Sequence, residues 1–177
     1  MVKKVLIFFA YFIFFTTSLL YFAPKVSLYY FVEHKLKEFS VIISSEEPKD
    51  RGLRLLVKNA DISISSIEAA KISKIKIDTF LLYNTIKAEN ITLLDMAKPF
   101  VPLKVQKVNV SLSILNPLNA NITAIGEFGE AYGTFHILDS NLSMRVTPSE
   151  LMMSKYSRTL RSLKKTEDGE YIYVKKF

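Results

Sequence analysis

The sequence predicts a mainly β protein: a curved antiparallel sheet, a half-pipe or open barrel, with one late α-helix and a transmembrane helix in front. Three observations predict it. Val5 to Ala23, VLIFFAYFIFFTTSLLYFA, carries no charge. From Gly52 onward, apolar and polar residues alternate with a period of two, as in strands with one buried face. The gaps between these runs, such as Asn116-Pro117 and Asp139-Ser140, are too short for helical crossovers, so the strands pair antiparallel as a meander of about eight.

The uncharged run comes first. At ~1.5 Å per residue a helix of this length covers roughly the 30 Å hydrocarbon core of a bilayer. A helix is the single-segment solution there, because every backbone amide needs an internal partner. Lys3 and Lys4 fit either the n-region of a signal peptide or a positive-inside flank. The one plausible cut follows Ala23, with bulky Tyr21 at −3 and Pro24 just after, a poor cleavage site that favours an uncleaved anchor. Residues 1–24 are therefore a cytoplasmic tip and signal-anchor, and the bulk of the chain lies on the far side.

Residues 25–51 follow as a stalk and linker. KVSLYYFVEHKLKEFS is amphipathic, with Val32, Leu36 and Phe39 on one helical face and Glu33, Lys37 and Glu38 away from it. SSEEPKDRG, with its Pro and Gly, reads as a long loop.

Residues 52–177 make the β-rich domain. Leu53, Leu55 and Val57 alternate with Arg54, Leu56 and Lys58, Ile62 and Ile64 with Asp61, Ser63 and Ser65, and Ile75 and Ile77 with Lys74, Lys76 and Asp78. Leu103 and Val105 lead into Val108, Val110, Leu112 and Ile114, and the slip at Gln106-Lys107 predicts a bulge. Further strands fit Thr85–Leu93, Asn119–Ile125, Tyr132–Leu138 and Asn141–Val146. Thr147-Pro148-Ser149-Glu150 is a capping box, with the Thr147 hydroxyl as the cap, opening a helix over about 148–165. Asp168-Gly169 is a turn, and Glu170 to Phe177 a last strand.

Composition narrows the function. The chain has no cysteine, which excludes disulfide scaffolds and thiolate metal sites. Removing Lys3 and Lys4 from the 24 Lys/Arg leaves 22 against 17 Asp/Glu, a modest net +5 outside the anchor. The basic residues late in the chain read as a solvated face or a surface for anionic lipid. Spread this evenly, the basic charge does not form a nucleic-acid footprint. No Ser sits in a G-x-S-x-G elbow. His34 and His136 lack ligand-spaced partners, and His136 reads as a structural histidine on a polar strand face. Gly126, Gly129 and Gly133 have the wrong spacing for a phosphate loop and fit a hairpin. The N-x-[ST] triplets at Asn90, Asn109, Asn121 and Asn141 fall where Asn, Ser and Thr fill polar strand faces. The sequence therefore points to a non-enzymatic protein with no cofactor or metal.

What distinguishes the domain is its aliphatic face. Ile62, Ile64, Ile75, Ile77, Leu103, Val105, Val110 and Leu112 form a core or a groove. A helix of ~18 residues covers only part of a sheet roughly 38 Å across. The remainder is hidden by closure, by folding over, or against partners or lipid. An ordinary closed sandwich satisfies the same pattern.

Behind a signal-anchor, the stretch LRLLVKNADISISSIEAAKISKIKIDTFLLYNTIKAENITLLD resembles the repeating unit of the type II secretion protein N and AsmA-like group of bacterial envelope proteins. The resemblance covers Gly52 to Asp95 best and weakens through Phe177. It implies a single-pass protein of the bacterial inner membrane, anchored by residues 5–23, with its bulk in the periplasm. It further implies a component of an envelope secretion apparatus that contacts other secretion or envelope proteins. The alternative it carries is a lipid-binding or lipid-transfer protein with phospholipid along an apolar sheet groove. A dry, filled interior favours the first; an open aliphatic trough favours the second.

Overall fold

The computed structural model describes residues 2–38, 40–80 and 82–176. Its body is one open antiparallel sheet, not closed into a barrel or folded into a sandwich. Two helices lead in, α1 (Val2–Phe22) and α2 (Lys25–Glu38), separated at Pro24, whose ring ends α1. Two short strands, β1 (Val41–Ser44) and β2 (Glu47–Asp50), then pair side by side along β3 (Arg54–Ile64). The meander continues through β4 (Ile67–Thr79), β5 (Tyr83–Leu93), β6 (Lys104–Ser113), β7 (Asn116–Gly126), β8 (Gly129–His136) and β9 (Asn141–Pro148). After β9 come the short helices α3 (Glu150–Lys155) and α4 (Ser157–Arg161), then β10 (Lys164–Lys165) and β11 (Tyr171–Lys176), which returns to pair with β9.

The main strands lie where the alternation puts them, and the bulge at Gln106 is present, between Val105 and Lys107 against β7. Three expectations are corrected. Residues 41–50 are not a linker: Val41–Ser44 and Glu47–Asp50 are strands, so the sheet begins eleven residues before Gly52. The late helix is not continuous to Lys165; it breaks at Tyr156, and Lys164–Lys165 is already strand. Its cap is Ser149, whose Oγ accepts from the Met152 amide at 3.1 Å, and not Thr147, which is inside β9 and donates to Glu170 at 3.4 Å. Ser149 also donates to the Glu127 carbonyl at 2.5 Å, which ties α3 to the β7–β8 turn.

Cross-strand partners share a face, so the ladders define two faces. One carries Val57, Ile75, Ala88, Val108, Ala124, Ala131 and Val146 in a row. The row opposite Leu55 runs through Ile77, Ile86, Val110, Ile122, Gly133 and Met144. The other face carries Lys74, Lys76, Lys87, Lys107, Glu89 and Asp78, with Lys76 2.5 Å from Glu89. His136 lies on this polar face, its Nδ1 2.5 Å from Asn119 Oδ1.

A crease crosses four strands. Asn59, Ser73, Asn90 and Gln106 drop out of the ladders side by side, and Asn59 (φ 55°) and Asn90 (φ 54°) are left-handed. Each is one extra residue between apolar positions spaced by three: Val57 and Ala60, Ile72 and Ile75, Ala88 and Ile91, Val105 and Val108. Because strand side chains alternate faces, a spacing of three would send the second residue to the polar side. The extra residue restores the phase. The core cluster of Ala60, Ala70, Ile72, Ile91 and Val105 thus packs against Ile75, Ala88 and Val108 on one continuous face. Beyond β6 the alternation is strict, and the slip is absorbed by the one-sided bulge at Gln106.

A β-branched side chain in the left-handed region is costly, whereas glycine is not. Asn90→Val should lose about 1–2 kcal/mol and Asn90→Gly should be near neutral, read from urea unfolding of the full chain in detergent. An Asn90→Val chain as stable as the parent would refute the crease.

Candidate functional site

Where α2 passes over the sheet it does not close on it. Leu28, Val32 and Leu36, four residues apart, form one helical stripe. Below them are Leu55, Ile75, Ile77 and Ile86 of β3–β5 and Ile43 of β1. Between helix and sheet is a cavity of about 500 Å³, lined almost entirely by apolar surface. Leu28 and Val32 line it yet are each 55% exposed, so helix and sheet leave apolar space unfilled. Leu20 and Ala23 extend the lining to the end of α1.

Three polar groups border this space. Lys25 is buried, and its Nζ donates to the carbonyls of Leu20 (2.6 Å), Tyr21 (3.3 Å) and Ala23 (3.2 Å), with Asp50 at 4.0 Å. These carbonyls end α1 without helical partners, and a cation there suits the helix dipole. Glu33 is buried, contrary to its expected place away from the apolar face, and pairs with Lys37 at 2.9 Å. The Tyr29 hydroxyl is buried with no hydrogen-bond partner. Burial, and then the carboxylates of Glu46 and Glu33, push its ionisation well above the usual phenol range. The Tyr29 ring lines the cavity, while its hydroxyl is closed off from a water-sized probe.

The expected groove residues divide. Ile75 and Ile77 line the cavity. Val105 is buried in the adjacent core cluster, and Ile62 packs against it. Val110 and Leu112 are half-buried on the same face, further along the sheet. Leu103 is half-buried just before β6, and Ile64, 44% exposed, ends β3 away from the cavity. The sequence reading missed Tyr29, Leu28 and Leu20. Leu28 was accessible by stepping one turn back from Val32; Phe39, placed on the same stripe, lies outside the described residues.

Among the described residues there is no cluster of His, Cys, Asp and Glu suited to a metal. α1 is long and apolar enough to cross a membrane, and none of its residues is buried by the rest of the chain. Comparison with protein-family models, curated proteins and solved structures finds no match to this chain.

Asp78, buried at the end of β4, is hydrogen-bonded by Arg54 at the start of β3 and lies 4.0 Å from Lys87. This pair holds the strand ends beside the cavity residue Ile77. The Arg54 hydrogen bond, reinforced by its charge and that of Lys87 and opposed by desolvation, holds the Asp78 carboxyl below the usual carboxylate range. A depressed carboxylate contributes stability that is complete above its unfolded value, ~4, and is lost as the pH falls through the folded value. Asp78→Asn should therefore melt below the parent at pH 7, and the gap should close below about pH 4. A gap independent of pH would sink this account.

Proposed function

We propose that this chain is a non-enzymatic, membrane-anchored lipid-binding protein of the bacterial envelope. In this reading α1 spans the inner membrane with Lys3 and Lys4 in the cytoplasm, and the sheet stands in the periplasm. The observation that carries it is the unfilled apolar cavity between α2 and the sheet, whose lining runs onto the last turn of α1. A lipid leaving the outer leaflet of that membrane enters this space past Leu20 and Ala23 without its chain crossing water. Its volume falls within the range of ligand pockets, and each acyl methylene moved from water contributes about 0.8 kcal/mol.

The secretion-apparatus reading ranks second. It needs partners at the sheet edges, and these are four-residue β1 and β2 on one side and two-residue β10 on the other. Short edge strands are a usual means of discouraging strand addition.

The test uses the full-length chain in bilayers containing phosphatidylethanolamine with a photoactivatable acyl chain. Cross-links are expected on peptides covering 26–38 and 72–87 as well as on α1. Ile77→Phe fills part of the cavity while keeping the face apolar. Displacing about two methylenes, ~1.6 kcal/mol, should weaken capture at those peptides roughly 15-fold and leave α1 labelling unchanged. Cross-links confined to α1 would overturn lipid binding and return the search to protein partners.

A further inference from the structure

The meander brings three hairpin turns to the end of the sheet where α1 leaves it. Gly52, at φ 73°, lies directly under the Tyr21 ring, which a Cβ there would strike. From this point the strand ends are joined in sequence by backbone bonds: Thr79 donates to Leu53 (2.9 Å), Ile114 to Leu82 (3.0 Å) and Ile137 to Leu118 (2.9 Å). The turns β4–β5, β6–β7 and β8–β9 therefore stand in one row, roughly 29 Å long from β3 to β9 at ~4.8 Å per strand.

Hairpin turns facing water are normally polar, rich in Gly, Asn, Asp and Ser. These are not. Phe80 and Leu82 are exposed on the first, Ile114 and Leu115 on the second, and Ile137 and Leu138 on the third. Leu115 is 92% and Leu138 74% exposed. Asp139 is the single charged residue in the three turns. Arg51 and Lys176 lie at the same end, with Asp50 and Asp78 beside them, and the connections of the opposite end carry charges of both signs, among them Asp95, Lys98, Glu127, Arg158, Arg161 and Asp168. An apolar row beside an aromatic-ended apolar helix has the chemistry of a bilayer interface.

We propose that these three tips rest in the headgroup region of the membrane that α1 spans, a second contact that sets the sheet upright on the bilayer. The proposal rests on reading α1 as an uncleaved anchor. It goes beyond lipid binding in the cavity, because it fixes where the mouth of that cavity stands: at the lipid surface, between α1 and the row of tips.

The chain has no cysteine, so single labels report cleanly. Phe14→Cys, Leu115→Cys, Leu138→Cys and Ser66→Cys, each carrying a polarity-sensitive fluorophore, are reconstituted full-length in vesicles of phosphatidylethanolamine and phosphatidylglycerol with brominated lipids. The expected result is strong quenching at Phe14 and quenching at Leu115 and Leu138 several-fold above that at Ser66, on the opposite end. Quenching at Phe14 with Leu115 and Leu138 no different from Ser66 overturns the tip contact and leaves the anchor in place. An absence of quenching at Phe14 overturns the anchor and the proposal together. Labels at the tips that shift to the blue without lipid quenching assign the row to a second protein chain and overturn it as well.

Discussion

Everything in this fold depends on keeping one aliphatic face continuous across strands whose apolar spacing changes midway. The alternation of a strand is unforgiving: one residue too many sends every later side chain to the wrong side. Here four neighbouring strands each carry that extra residue, and each places it at the same level, at Asn59, Ser73, Asn90 and Gln106. Had a single strand carried it, its partners would have been thrown out of register. Aligned, the four slips cancel against one another, and the extra residue at Gln106 remains as a one-sided bulge at the boundary with β7. Asparagine suits the left-handed turns at 59 and 90 because it pays least, after glycine, for positive φ.

The second constraint is the junction of α1 and the sheet. A single amine, Lys25 Nζ, binds the last carbonyls of α1, begins α2 and lies beside Asp50 of β2. Packed against it, the Tyr21 ring covers Gly52 at the entrance to β3. These contacts fix where α2 starts, and the short link to β1 fixes where it ends. α2 is thus held at both ends over β1 and β3–β5, which leaves it spanning the trough without collapsing into it.

How much of this was legible in the sequence follows from the range of each signal. Strands β3 to β9 were readable because alternation is local and repeated, and antiparallel pairing followed from their short gaps; that the sheet stays open was not legible, because a closed sandwich satisfies the same alternation. β1 and β2 were not, since four residues such as Glu47–Asp50 carry no period and become strand only because β3 offers an edge to pair with. The helix after β9 was read as too long because Tyr156 and the lysines after it suit a helix by propensity, while β11 recruits Lys164–Lys165 as a partner. Thr147 has the capping pattern, but its place in β9 opposite Glu130 removes it from the helix and leaves Ser149 as the cap. At the site, Ile75 and Ile77 were named from periodicity, whereas Tyr29 was not, because only the tertiary fold brings its ring to the cavity wall.

The composition of the face explains why the cavity persists. Away from α2 the row through Ala88, Val108, Ala124, Ala131 and Val146 is made of small residues and valine. Such a surface exposes little apolar area per strand, and its neighbours half-bury it without a second layer. Under α2 the residues are larger, Leu55, Ile75, Ile77 and Ile86, facing Leu28, Val32 and Leu36. These would pack together if the helix could descend, and dispersion favours that descent. The buried Glu33 and the unpaired Tyr29 hydroxyl oppose it: closing the gap would press an ion pair and an unsatisfied donor into aliphatic contacts, each at a cost of about 1–3 kcal/mol. The polar groups therefore act as spacers that keep the aliphatic surfaces of helix and sheet apart.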